Sequence, residues 1–492
     1  MNAIRNFVVY GLAGTASRLV MVFLVPLYTR ALSIGQYGQL EFLLAAAGLL
    51  TILAGLQSET AVLREYHVAK REKRLPELRW AAFVIAAGGS LLLGIVAGLS
   101  WLAGLLPDDF AALLPMVLAI AVATQVLGIQ LVLLRFDDRP VFFGFVTFAD
   151  VLVAATLSFV LLVQFDWGVA GALTGVLCGK IIGIGAAWTR TFVEIPADWP
   201  SAALVRRMLA FSVPTTAPVF LNWVQNNGAR IVLAAFFTLT DVAIASIGIR
   251  VAALFGFLVY AFRLAWEPWA FRMLDDPDRP ASAYGDVLKG YVVAMVLAAS
   301  VAIALSPVLV AIFAPTEYAA AVVLCGGFVM GQLWLGIGNL ASIGIHGSRK
   351  TGKLVTVALM AAAVNLALLA ALAPALGVVG AMIAFLASAM TRGFAASVMS
   401  NTLFATAFSL RLLILAGVAS LGLAGAAYAL FDGNAGQPLV TQAGAMATML
   451  ALGLIAVALL VFTAIPAAER RAALREGSER WRLAWRAFRS KE

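Results

Sequence analysis

Four arginines and a run of amides stand where their neighbours are apolar. In LNWVQNNGARIVLAAFF, residues 221–237, Asn222, Gln225, Asn226, Asn227 and Arg230 interrupt a hydrophobic stretch, and Arg18, Arg250 and Arg392 do so elsewhere. Arginine stays charged at any physiological pH and its planar fork matches phosphate oxygens, while amides hydrogen-bond sugars or phosphates. Gathered around one wet space, such residues would bind a ligand with a diphosphate. At about 100° per residue, Asn222, Gln225, Asn226 and Arg230 fall in a sector of about 140°, with Thr215 and Pro218 in the same sector one turn earlier and Asn227 just outside it. Two readings fit this stripe: the wall of a water-filled cavity, or amide bonding between helices with Arg230 snorkelling outward. For any single arginine, the alternative to a phosphate contact is a buried ion pair. Thr15 and Arg18 share a helix face, as do Ser246 and Arg250, and Ser388 and Arg392.

One carboxylate also falls deep in an apolar run. If residues 141–165 and 168–192 form an antiparallel hairpin, Asp150 and Lys180 agree in depth within about 5 Å. A structural salt bridge is one reading, and a proton or cation coupling site is the other. Other chemistry finds little support. Asp108-Asp109 and Asp137-Asp138 sit at turns without a convergent partner. His67 and His346 are far apart with no metal-ligand spacing, so no metal is expected, nor any cofactor. Cys178 and Cys325 both lie inside apolar runs and read as packing residues.

What positions these groups follows from composition. Of 492 residues 63% are hydrophobic and 12% charged, against roughly 25% charged in an ordinary soluble domain. Apolar runs long enough to cross roughly 30 Å of lipid as helices recur throughout. They predict an all-α polytopic membrane protein of about 14 spans, from 7–32 and 38–63, through 207–236 and 240–263, to 409–431 and 440–466. The first run lacks a cleavage site and reads as a retained span. With the N-terminus taken as cytoplasmic, 27 of the 34 Lys and Arg residues fall in inward segments, and the outer loops hold only Arg30. Both termini are therefore expected in the cytoplasm. The net charge of +9 sits at membrane edges, where it suits anionic membrane lipids and not nucleic acid. In the tail 467–492, Leu474, Trp481, Trp485 and Phe488 alternate with arginines at helical spacing, as in an interfacial amphipathic helix; a solvated basic tail is the alternative. The outer connections are short, which disfavours a glycosyltransferase or polymerase and indicates a protein that is not an enzyme.

The hydropathy rhythm repeats. An offset of 207 places Leu32 and Ser33 on Leu239 and Thr240, which suggests two six-helix lobes, 1–205 and 206–405, in pseudo-two-fold relation. Two extra spans, 406–466, and the tail 467–492 complete the expected organisation. Paired lobes leave a cleft near the membrane midplane, where transporters place their sites.

VPLYTRALSIGQYGQLEFLLAAAGLLTIL, then LAFSVPTTAPVFLNWVQNNGARIVLAAFFTLTDVAIASIGIRVA and AFRLAWEPWAFR, resemble the oligosaccharide flippases of the MOP superfamily, in particular its Wzx-like polysaccharide transporter branch. The resemblance covers essentially the whole chain. It implies rocking lobes, a bacterial inner-membrane location, and export of an undecaprenyl-pyrophosphate-linked oligosaccharide for polysaccharide or O-antigen biosynthesis. It implies cationic cavity residues that carry the pyrophosphate, here Arg18, Arg230 and Arg250, and other polysaccharide assembly proteins as partners. Family members commonly carry an acid beside the arginine of span seven; this chain reads Gly228-Ala229 there. A flippase for lipid II, the peptidoglycan precursor, a cation-coupled drug antiporter of the MATE type and a non-transporting scaffold are the rival readings.

Overall fold

The computed structural model describes residues 24–103, 108–137, 139–191, 199–274, 276, 282–404 and 406–464. Arg18 and the tail 467–492 lie outside the described residues. The described residues are overwhelmingly helical, and no strand occurs among them. A first short helix, α1, covers residues 24–31. It is followed by α2 (Ile34–Gly55), α3 (Ser58–Arg71), α4 (Leu75–Leu102), α5 (Asp108–Ala111), α6 (Leu114–Phe136), α7 (Pro140–Val163), α8 (Gly168–Thr191) and α9 (Ala202–Phe236). Then come α10 (Leu239–Leu274), α11 (Ala283–Ala304), α12 (Ser306–Phe313), α13 (Ala321–Ala341), α14 (Ile343–Gly347), α15 (Gly352–Leu403), α16 (Leu410–Phe431) and α17 (Leu439–Ala464).

Eleven segments of the described residues are long and apolar enough to cross a membrane. α9 adds a twelfth long helix, of 35 residues, whose amides and arginines make it more polar. α15, 52 residues long, is two helices: Gly377 takes φ 54 and ψ −130, three residues after Pro374. Glycine tolerates that conformation, and proline denies the preceding turn a hydrogen bond. These helices match the expected spans from 38–63 onward; most of the first, 7–32, lies outside the described residues.

The burial pattern is that of a protein in lipid. α4 exposes Leu91, Leu92, Leu99 and Leu102, and α17 exposes Leu454, Leu459 and Phe462. α13, by contrast, is buried nearly all round. Its glycines admit neighbours closely, since Met382 packs on Gly327 and Phe385 on Gly331. These glycines of α13 therefore serve close helix approach.

Two compact units result. One gathers the chain up to Ile247 with Ile312–Tyr318 and Ala373–Val378; the other holds Gly248–Ala311, Ala319–Leu372 and the residues from Val379 onward. In the first unit, α9 packs on α2, α3 and α4. Its start is anchored where Ser201 donates to Glu77 through its backbone N at 3.0 Å and its hydroxyl at 2.9 Å. Arg74 Nε holds the same carboxylate at 2.6 Å. The short segment 312–318 joins this unit because Thr29 donates to the Phe313 carbonyl at 2.6 Å and Arg30 to that of Ile312 at 3.2 Å. Those carbonyls end α12, where a cation complements the helix dipole. In the second unit, α11, α13, α16 and α17 pack together around Trp334, which donates to Ser420 at 3.0 Å and stacks on Phe394.

α7 and α8 form the tightest hairpin, with glycines of α8 seated on α7. A methyl group at Gly179 would meet the Asp150 carbonyl, and one at Gly175 would meet Ser158, whereas one at Gly185 meets nothing within 4 Å. Gly179→Val is expected to destabilise the detergent-solubilised protein by about 1–3 kcal/mol through overpacking, and Gly185→Val to leave it near wild type. Thermal unfolding followed by circular dichroism checks the difference.

Candidate functional site

The polar stripe of α9 is the natural starting point. Asn222 Nδ2 donates to the Pro218 carbonyl at 2.8 Å, Asn226 Nδ2 to Asn222 at 2.7 Å and Asn227 Nδ2 to Trp223 at 3.3 Å. Each amide thus bonds the turn before it on its own helix. Pro214 and Pro218 lie in the same helix, but the carbonyls they leave without a backbone donor are those of residues 210 and 214, not the three that these amides bond. Asn226 is exposed, while Gln225 and Arg230 are buried. The stripe is split between two environments.

Arg230 neither snorkels nor faces an open space, because each guanidinium nitrogen is engaged. Nε donates to Ser246 Oγ at 3.0 Å, Nη1 to Asn227 Oδ1 at 2.9 Å, and Nη2 lies 3.3 Å from Glu41 Oε2. Tyr37 donates its hydroxyl to the other Glu41 oxygen at 3.0 Å and meets Tyr318 edge-on at 5.9 Å. The Arg230 side chain is 8% exposed and that of Glu41 4%. A buried charge in lipid needs a partner, and α2 supplies it. No acid near Arg230 in sequence announces the pair, since Glu41 lies far back along the chain, on α2. Asn227, just outside the helical sector, joins because residues three apart on a helix are neighbours. Gly38 lets α2 pass close enough, as a methyl there would strike the Leu239 carbonyl at the start of α10.

Asp150 and Lys180 also meet, with Nζ 2.6 Å from Oδ2 and side chains 7% and 22% exposed. They tie α7 to α8 at the depth that their spacing implies.

Arg250 and Arg392 belong to the second unit. Arg250 buries its Nε without a hydrogen-bond acceptor, although the side chain has other contacts. Arg392 lays its carbon chain over Gly338 and directs Nη2 toward Asn339 Oδ1 at 3.5 Å. Arg263 of α10 lies near enough to act on the Arg392 charge; it also caps the Tyr260 ring at 5.1 Å and approaches Glu267 at 3.5 Å. The expected span 240–263 ended at Arg263, but α10 continues through it to Leu274. Ser388, on the Arg392 face by spacing, bonds the Ala361 carbonyl instead, at 2.8 Å. No group of three His, Cys, Asp or Glu side chains suited to a metal occurs among the described residues.

A family model described as "Polysaccharide biosynthesis protein" matches residues 3–274. No curated protein matches the sequence. Among solved structures, the chain is similar to the lipid II flippase MurJ in an inward closed conformation, at 13% identity, covering 92% of this chain and 98% of that one with a TM-score of 0.69. It is also similar to an inward-facing multidrug resistance MATE family transporter of the MOP superfamily, at 14% identity and a TM-score of 0.61, covering 80% of this chain and 93% of that one. The Vibrio cholerae MATE transporter VcmN shares 20% identity over 80% of this chain and 94% of its own, with a TM-score of 0.53. The fold is that of the MOP flippases.

The Glu41–Arg230 pair makes a thermodynamic cycle possible. Glu41→Gln and Arg230→Gln singly should each cost about 3–5 kcal/mol by stranding a buried charge. The double variant should recover a large part of that loss, as read by unfolding midpoints of purified protein.

Proposed function

The chain belongs to the polysaccharide biosynthesis protein family, and from that premise we propose that it is a flippase for an undecaprenyl-pyrophosphate-linked oligosaccharide. The observation that carries this reading is a family member folded over 92% of its length like a lipid II flippase. The protein is a multi-pass membrane transporter and performs no chemistry on its cargo. The task is physical: a sugar-diphosphate head must cross apolar lipid, whereas its polyprenyl tail is already at home there. Cations held at membrane depth lower the barrier for the head, because ionised groups are costly in the bilayer centre unless partnered. Arg18, Arg250 and Arg392 are the residues proposed to meet the diphosphate, with Arg230 holding α9 against α2 through Glu41.

Two six-helix lobes, 1–205 and 206–405, are the proposed moving bodies. The helix ends that carry Arg64, Lys70, Arg79, Arg135, Arg190, Arg206 and Arg349 would face the cytoplasm, by the positive-inside rule. The membrane is proposed to be a bacterial inner membrane, and the product an O-antigen or another surface polysaccharide.

Arg250→Ala and Arg392→Ala are expected to lower glycan export at least tenfold while the protein still reaches the membrane. Wild-type export by both would reject the assigned cations. If the cargo is instead lipid II, the wild-type gene will rescue cells depleted of their own lipid II flippase. For orientation, a membrane-impermeant maleimide added to intact cells should label a cysteine placed at Glu317 or Asp432 and spare one at Lys70.

A further inference from the structure

The second span does not run unbroken. α2 stops at Gly55, Leu56 and Gln57 both take left-handed backbone (φ 43 and 55), and α3 restarts at Ser58. Neither residue is glycine, so the break is held by its surroundings. Gln125 of α6 packs its amide on Gly55 and donates to Ser58 Oγ at 3.0 Å, while the Thr60 and Thr215 hydroxyls lie 3.4 Å apart. The Gln57 carbonyl already accepts from the Thr60 backbone N and hydroxyl, at 2.9 and 2.7 Å.

Into this break projects Glu59, whose carboxylate rests on Gly128 in the space that a methyl group would fill. Gly128 stands eight residues, about 12 Å, inside the Phe136 end of α6, and Thr215 about 20 Å inside the start of α9. The carboxylate therefore lies at membrane depth, yet it is only partly buried. It makes no hydrogen bond or ion pair among the described residues. The cation that acts on it is Arg135, seven residues along the same face of α6 and about 10 Å from Gly128. On the other helices that pack against α3, Arg207 of α9 pairs with Glu65 at 2.9 Å and Arg79 of α4 with Asp137 at 3.5 Å.

We propose that Glu59 is a proton-binding site that couples proton uptake to movement of α3 against α6 about the break at Leu56–Gln57. A transmembrane carboxylate with no ion pair among the described residues is a functional residue by default. A metal cation would need further oxygens, but the nearby carbonyl is occupied and Arg135 repels it. Ionised, Glu59 is drawn along α6 toward Arg135. With a proton from the Arg135 side of the membrane bound to one carboxylate oxygen, that attraction is lost and the side chain settles on Gly128. The coupling role rests on the transporter reading above; the protonation itself does not.

The test is infrared difference spectroscopy on the full-length protein in nanodiscs, stepped in pH in choline buffer. Wild type should keep a protonated carboxyl band at a pH that ionises free glutamate. That band should vanish in Glu59→Gln, shift in Glu59→Asp and weaken in Gly128→Ala, which fills the seat. An unchanged band in Glu59→Gln overturns the site, and a band abolished by sodium at fixed pH overturns the proton in favour of a metal ion. In cells, Glu59→Gln should reduce glycan export at least tenfold with normal membrane insertion. Wild-type export from it overturns the coupling while leaving the flippase reading to the arginine variants.

Discussion

No charge can remain alone where there is no water, and that constraint organises this structure. The Arg230 guanidinium is satisfied at all three nitrogens by α2, α9 and α10. Those contacts determine more than a local bond. To bring Glu41 within 3.3 Å of Arg230, α2 must lie close along α9, which requires small residues at the crossing. Gly38 against the Leu239 carbonyl and Gly48 against Trp223 provide them. An ion pair in lipid thus depends on glycines that carry no charge.

The same constraint explains why the amides of α9 turn inward on their own helix. Two prolines inside a 35-residue helix leave its backbone imperfectly bonded. The carbonyls so orphaned, those of Ala210 and Pro214, are not the ones the amides take: Asn222, Asn226 and Asn227 bond the carbonyls of Pro218, Asn222 and Trp223, one turn back each. A polar stripe therefore need not line a cavity, and part of this one bonds its own helix. Polar groups not consumed by such local bonding, among them Glu59 on its glycine seat, are the ones left to respond to something that arrives from outside the protein.

Charged contacts at the helix ends serve a different purpose. Arg74, Glu77 and Ser201 fasten the start of α9 to that of α4, and Tyr66 donates to Asp137 at 2.6 Å near Arg79. On the opposite side, Arg30 and Thr29 bind the last carbonyls of α12. Arg74 and Arg30 make theirs where side chains reach water, whereas Thr29 and Tyr66 are buried. The membrane interior is held instead by close packing, as around Trp334, because lipid gives apolar groups no reason to leave it.

Membrane class, the all-α fold and the Asp150–Lys180 depth match were legible in the residues themselves, because apolar run length and rise per residue are local properties, and the family was legible as a resemblance. The partner of Arg230 was not legible, since Glu41 is remote along the chain and only helix packing brings the two together. Nor was the break after Gly55, where unremarkable residues, Leu56 and Gln57, adopt left-handed backbone under the hold of Gln125 and Thr215. Periodicity places a side chain on a face; what that face meets is decided by the other helices, and in a medium that solvates no charge that meeting determines what each polar residue can do.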